Sequence, residues 1–233
     1  EEKPDYLTVA FDLKAPTFRH KMFDNYKGTR KPMPEELREQ VPLIQEVLKA
    51  MNIQVVTLEG YEADDVLGTI SKICEKEGLL VSVVSGDRDL LQLASSKIKI
   101  RIPKTKRGGT EIEDYLEDDV KEKYQVTPQE FIDVKALMGD TADNIPGVAG
   151  IGEKTATKLI VEYHSLDGIY ENIDNMKTSK MKQSLIDNKE TAYLSLDLAR
   201  ICIESFHLMR HLLKIFTLKK HTIILLSLSL KIC

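Results

Sequence analysis

The chain has 233 residues, 42% of them hydrophobic, enough for one large domain or two small ones with a sizeable core. Its net charge of −4 excludes a bulk polycation, so nucleic-acid binding would have to rest on local patches. Cys74, Cys202 and Cys233 form no C-x-x-C pair, which argues against a disulfide framework or a structural zinc and fits a reducing, cytoplasmic setting.

"YLTVAFD" (6–12) reads as a strand of β-branched and aromatic residues. "PEELREQVPLIQEVLKAMN" (34–52) has acids early and an apolar stripe, which predicts a helix. A strand at 53–59 follows, then a helix at 62–78 that Gly78 stops. "LLVSVVS" (79–85) has the continuous apolar character of a buried parallel strand. After a short helix at 88–94, the stretch to Tyr115 reads as a hairpin turning at Gly108-Gly109. From about 117 to 200 the pattern is helical. Such alternation followed by a helical half predicts a mainly parallel α/β sheet with helices on both faces, plus an α-rich subdomain. No signal peptide opens the sequence, and the longest apolar run, near 222–230, is too short to span a bilayer.

Ligands of such sheets bind at the carboxyl ends of the strands. There the sequence places Asp12, then Glu62, Asp64 and Asp65, then Asp87 and Asp89; Asp140 and Asp143 close a later helix. Each acid alone has an ordinary reading as a helix cap or turn residue. Together they would repel unless cations stood between them. Hard oxygen donors without His or Cys suit Mg²⁺ or Mn²⁺, and two such ions roughly 4 Å apart are a common device for phosphodiester hydrolysis. "GVAGIG" (147–152), opening onto a helix with Lys154 and Lys158, offers backbone N–H groups to a phosphate. It follows no strand, which argues against a dinucleotide site. "KAPTFRHKMFDNYKGTRK" (14–31) interleaves cations with Phe18, Phe23 and Tyr26. It reads either as a solvated loop or as a clamp whose cations meet phosphates and whose aromatics stack on unpaired bases.

"FDLKAPTFRH", "GYEADDVLGT", "SGDRDLLQL" and "GDTADNIPGVAGIGEKTA", in this order, resemble the 5′–3′ exonuclease (flap endonuclease) domain of bacterial DNA polymerase I over residues 5–203. The resemblance implies a PIN-like (resolvase-like) fold with a helix-hairpin-helix-type motif. It implies two Mg²⁺ (or Mn²⁺) ions, a K⁺ ion at the hairpin, and substrates with 5′ flaps, 5′ ends or RNA primer–DNA junctions. Residue by residue, it assigns Asp12, Glu62 and Asp64, with Asp65 nearby, to one metal, and Asp87, Asp89, Asp140 and Asp143 to the other. Lys14 and Arg19 would contact the scissile phosphate. Tyr26, Lys27 and Arg30 would form a DNA-contacting arch, and Gly147, Gly150 and Gly152 the hairpin grip; Phe18 as a stacking aromatic, and Lys154 and Lys158 by their charge, are expected at the DNA from the residues themselves. The expected division is a nuclease core at 1–115 including the arch 14–31, a helical DNA-binding subdomain at 116–204, and a tail at 205–233.

Two departures from the family pattern carry expectations of their own. The family domain begins further upstream, with a strand ending in another metal-binding Asp; without it, "YLTVAFD" becomes an exposed apolar edge and catalysis weakens. The tail after Glu204 has no acid, Gly or Pro and does not resemble the family; it reads as an out-of-frame or truncated extension, with a basic membrane-surface segment as the rival. The functions in competition are a monomeric metal-dependent 5′ nuclease of replication and repair, a non-cleaving DNA-binding fragment of one, and a PIN-type ribonuclease. A polymerase domain would normally share the chain, at the bacterial nucleoid and away from any membrane.

Overall fold

The computed structural model describes residues 3–106, 109–203 and 222–227. Its contacts divide into two units that are not sequential: Glu1–Phe18, Lys31–Leu116 and Ile201–Cys233 form one, and Arg19–Arg30 with Glu117–Arg200 form the other. The segment 14–31 is therefore split, most of it belonging to the helical unit and not to the sheet unit.

In the first unit the strands are β1 (Tyr6–Ala10), β2 (Gln54–Val56), β3 (Leu80–Val84), β4 (Ile98–Lys106), β5 (Gly109–Tyr115) and β6 (Thr222–Ser227). They form one six-stranded sheet in the order β2-β1-β6-β3-β4-β5. All pairings are parallel except that of β4 with β5, an antiparallel hairpin. Helix α1 (Phe18–Met22) follows β1, then α2 (Glu35–Ala50) leads into β2 and α3 (Ala63–Lys76) into β3. The inner positions of β3 and β4, among them Val83, Ile98 and Ile100, are wholly shielded from water, as expected of parallel strands covered on both faces. Val66, Leu67, Ile70 and Cys74 line the buried face of α3 at helical spacing.

The expected exposed edge at "YLTVAFD" is overturned. β1 is paired on both sides, with β2 and with β6, and Thr8, Val9 and Ala10 are buried. The tail itself supplies the strand that covers it. The remaining expectations for 205–233 lie outside the described residues.

The second unit contains α4 (Glu117–Tyr124), α5 (Pro128–Met138), α6 (Glu153–Tyr163), α7 (Leu166–Glu171), α8 (Lys180–Asp187) and α9 (Lys189–Ala199). Thr127 and Glu130 close a capping box at the start of α5, with Pro128 in its first turn, and Ser165 and Ser179 cap α7 and α8. Tyr26, Ile145, Leu198 and Ala199 form a buried cluster against which Phe23, Ile132 and Leu194 pack.

Candidate functional site

In the sheet unit the acids stand where parallel strands end. Asp12, exposed two residues beyond β1, accepts a 2.7 Å hydrogen bond at Oδ1 from the N–H of Ala63, the first residue of α3. The contact places a carboxylate on the positive end of that helix. Glu62 is the N-cap of α3, and Asp64 and Asp65 lie in its first turn. Beyond β3, Asp87 is 7% exposed; its Oδ1 accepts the N–H of Asp89 and so caps the 3₁₀ turn Arg88–Leu93.

Asp65 departs from its expected metal role. It is 1% exposed, and its two oxygens accept the backbone N–H groups of Glu62 (2.9 Å) and Cys202 (2.8 Å). A buried carboxylate with both oxygens so engaged holds the start of α3 to the segment after Ile201, and leaving those N–H groups unmet would be costly.

In the helical unit Asp140 and Asp143 flank the turn after α5. Asp140 forms an isolated bridge with Ile145, and its Oδ2 accepts from Lys135 Nζ at 2.5 Å. Burial pushes the Asp140 carboxyl up, but the hydrogen bond and charge of Lys135, with the N–H groups of Ala142 and Asp143, outweigh it and hold the group below the usual carboxylate range. Asp143, 6% exposed, forms an ion pair with Arg30, and the Tyr26 hydroxyl donates to its Oδ2 at 3.4 Å. Lys135 carried no expectation from the sequence; its charge lies five residues ahead of Asp140, a spacing without a recognised signature.

Among the described residues, no group of three or more His, Cys, Asp or Glu side chains is gathered closely enough to hold an ion. The structure brings Asp12 to the first turn of α3 and Asp87 beside Asp89, so the acids of the sheet unit form separate small groups. Their chemistry, all carboxylate oxygens, matches a hard divalent cation that keeps part of its water shell and takes one or two carboxylates at a time.

The arch residues also fall differently. Arg19, expected at a phosphate, is 3% exposed; its Nε donates to Leu198 O at 2.9 Å and its Nη2 to Arg200 O at 2.6 Å. Its guanidinium is thus spent on carbonyls at the end of α9. Tyr26, expected to stack on bases, is 3% exposed within the apolar cluster, with the Lys27 ammonium over its ring and the His20 ring edge-on to it. The Lys27 N–H donates to Asp143 O, and Arg30 also reaches Ala142 O. Phe18 is half-buried, its ring 5.7 Å from that of Tyr61. Lys14, Lys154 and Lys158 are exposed.

The three glycines of the hairpin have different work. Gly147, at φ +64°, is buried; its N–H donates to Ser195 Oγ, and a Cβ there would lie 2.4 Å from Gly139 N. Gly150, at φ +78°, is exposed with nothing within 4 Å of a Cβ. Gly152 is the N-cap of α6 and offers no side chain to the first-turn N–H groups. Among the described residues no helix is long and apolar enough to cross a membrane.

Residues 1–125 match the family described as 5′-3′ exonuclease, N-terminal resolvase-like domain, and residues 126–216 match 5′-3′ exonuclease, C-terminal SAM fold. The chain is 50% identical over 199 residues to DNA polymerase I of Streptococcus pneumoniae, covering 85% of this chain and 22% of that protein. It is 48% identical over 205 residues to DNA polymerase I of Bacillus subtilis, covering 88% of this chain and 23% of that one. The chain thus spans under a quarter of the length of these relatives. Among solved structures, a T5 5′-exonuclease with bound zinc ions matches 90% of this chain and 82% of its own, at 25% identity and a TM-score of 0.73. A bacteriophage T5 flap endonuclease in a pseudo-enzyme-product complex with DNA and metal ions matches 88% of this chain and 78% of its own, at 26% identity and a TM-score of 0.70.

Proposed function

The chain belongs to the 5′-3′ exonuclease family, and from that premise we propose that it is a divalent-metal-dependent nuclease that hydrolyses DNA phosphodiesters at 5′ ends and 5′ flaps, in replication and repair. The observation that carries the reading is the acidic carboxyl edge of the parallel sheet, with Asp12 after β1, Glu62 and Asp64 after β2, and Asp87 and Asp89 after β3.

Asp12, Glu62 and Asp64 would be drawn onto one Mg²⁺ or Mn²⁺, and Asp87 and Asp89 onto the other, because among the described residues no three acids already stand closely enough to hold an ion. Asp140 and Asp143, which pair with Lys135 and Arg30, are assigned to the second ion on sequence resemblance alone. Divalent ions bound at such an edge supply a water of lowered pKa and a counter-charge for the leaving oxygen. The chain's own residues do the rest. Lys14, exposed two residues beyond Asp12, would be the cation that meets the scissile phosphate. The α6 N-terminus, with Gly150, Gly152, Lys154 and Lys158, offers N–H groups and charge to a phosphate of the duplex; a K⁺ ion, which those groups would repel, would need carbonyl oxygens of the 147–152 turn together with the phosphate itself. Asp65 holds the start of α3, which carries Glu62 and Asp64, while within the helical unit Arg19 holds the end of α9 and Tyr26 donates to Asp143. A polymerase domain in the same chain, and RNA primer junctions as substrates, follow from the likeness to the polymerases.

A second reading is favoured by one observation. β6 lies in the middle of the acid-bearing edge, and its sequence, TIILLS, brings no carboxylate there. The chain would then bind flaps without cutting them. Incubation of a 5′-labelled flap duplex with the chain, in Mg²⁺ and in EDTA, beside a folded Asp87→Ala variant, separates the two. Cleavage lost with EDTA and with the variant supports the nuclease; binding without cleavage by a folded chain overturns it.

A further inference from the structure

β6 separates β1, which Asp12 follows, from β3, which Asp87 and Asp89 follow. It runs parallel to β1 from the pair Tyr6↔Ile223 to Ala10↔Ser227, and parallel to β3 from Leu80↔Thr222 to Val84↔Leu226. Neighbouring strands lie about 4.8 Å apart, so β1 and β3 stand roughly 10 Å apart because β6 lies between them. Without it the sheet divides into β2-β1 and β3-β4-β5, since the described strands join these halves through β6 alone. Helix α3, whose first turn carries Glu62 and Asp64, rests on β1, β3 and β6 together. Leu225, level with Thr8 on one side and Val83 on the other, is 0% exposed, and those neighbours are 1% and 0% exposed. The strand has no ionisable side chain, so its effect on the acids is one of spacing and not of charge.

We infer that β6 is the positioning strand of the acidic edge. It fixes the separation between the Asp12, Glu62 and Asp64 group and the Asp87 and Asp89 group, and Leu225 is the side chain that secures it. Divalent-ion binding at the edge therefore depends on insertion of the chain's own tail. This rests on the reading of those acids as metal ligands and adds to it a control by residues 222–227.

The test uses the full chain without DNA and Mn²⁺ as probe. Free Mn²⁺ is titrated by electron paramagnetic resonance for the parent, Ile224→Val, Leu225→Met and Leu225→Ala. Hydrogen–deuterium exchange of Tyr6–Ala10 and Leu80–Val84 reports how far β6 has loosened, and exchange of α5 and α9 reports whether the helical unit is intact. Leu225→Ala should expose the β1 and β3 amides and weaken Mn²⁺ binding about 10-fold to 100-fold, the range for losing support behind a ligand. Leu225→Met should restore most of it, and Ile224→Val should lie close to the parent. Should Leu225→Ala unfold outright, the two milder variants still give the trend between strand opening and Mn²⁺ affinity. A variant that loses β1 and β3 protection yet binds Mn²⁺ like the parent overturns the inference, as does a parent that binds none. A parent that binds Mn²⁺ but cuts no flap removes the nuclease reading and leaves the role of β6 standing.

Discussion

Replacing Gly147 by alanine should cost far more than the same change at Gly150, although both have left-handed backbone angles, φ +64° and φ +78°. Holding an L-residue in that region costs about 1–2 kcal/mol at either position. At Gly150 that is the whole cost, because nothing lies within 4 Å of the added methyl. At Gly147 the methyl would lie 2.4 Å from Gly139 N, 2.7 Å from Met138 C and 2.8 Å from Gly139 Cα. All three are backbone atoms, and Gly139 is itself at φ +72° with Ile145 O close by, so no flexible side chain can yield. Moving packed backbone adds a further ~1–3 kcal/mol, which brings Gly147→Ala to about 2–5 kcal/mol in all. Urea unfolding of the chain and both variants measures the totals, and amide exchange along α5 localises the loss. If the two alanine variants agreed within about 1 kcal/mol, the smaller part of the added-strain range, the reasoning from backbone contact would be refuted.

Four further outcomes are expected. Arg19→Ala should destabilise the helical unit by about 2–4 kcal/mol, since it leaves two carbonyls at the end of α9 without their donor; unchanged stability with lost cleavage would return Arg19 to the phosphate. Lys14→Ala should leave the melting curve in place, as exposed substitutions do, while lowering flap cleavage by roughly 10²-fold if its charge meets the transition state; equal cleavage by parent and variant would exclude that role. Asp140 has a lowered pKa, so the stability it contributes is present above the ordinary carboxylate pKa and disappears as pH falls through its depressed value. Lys135→Met should move the loss of α5 amide protection to higher pH, and an unmoved profile would count against the Lys135 contact. Burial, with the charge of Glu77 adding to it, pushes the Cys74 thiol up to about 12, so alkylation of the folded chain at pH 8 should leave Cys74 unmodified in a mass map.

Local pattern made much of the sheet unit readable. The apolar run at 79–85, the helical stripe at 62–78 and the hairpin at 98–115 correspond to β3, α3 and the β4–β5 pair, because each is decided by residues close together in sequence. The acids at strand ends were legible for the same reason. Their individual duties were not. Asp65 stands three residues after Glu62, the spacing of a capping box, and the adjacent acids drew it into a ligand set although its oxygens serve two backbone N–H groups. Arg19 and Tyr26 looked like solvent-facing parts of a basic loop. Their burial depends on partners near residues 143 and 198–200, and no local pattern carries that information. The place of "TIILLS" was hidden more deeply still, since a six-residue apolar run gives no sign of which two strands it will part.

The position of β6 also bears on when the sheet can form. Tyr6 pairs with Ile223, so a central ladder joins segments separated by nearly the whole sequence. Closing so long a loop is slow compared with the short-range contacts that build α5, α6 and α7. The helical unit should therefore gain protection early in refolding. The halves β2-β1 and β3-β4-β5 would meanwhile wait with two unpaired, aliphatic strand edges, an interval in which another chain's strand could bind first. Refolding yield should accordingly fall with protein concentration, and in kinetic terms the last strand to arrive decides whether the chain ends as a monomer or an aggregate.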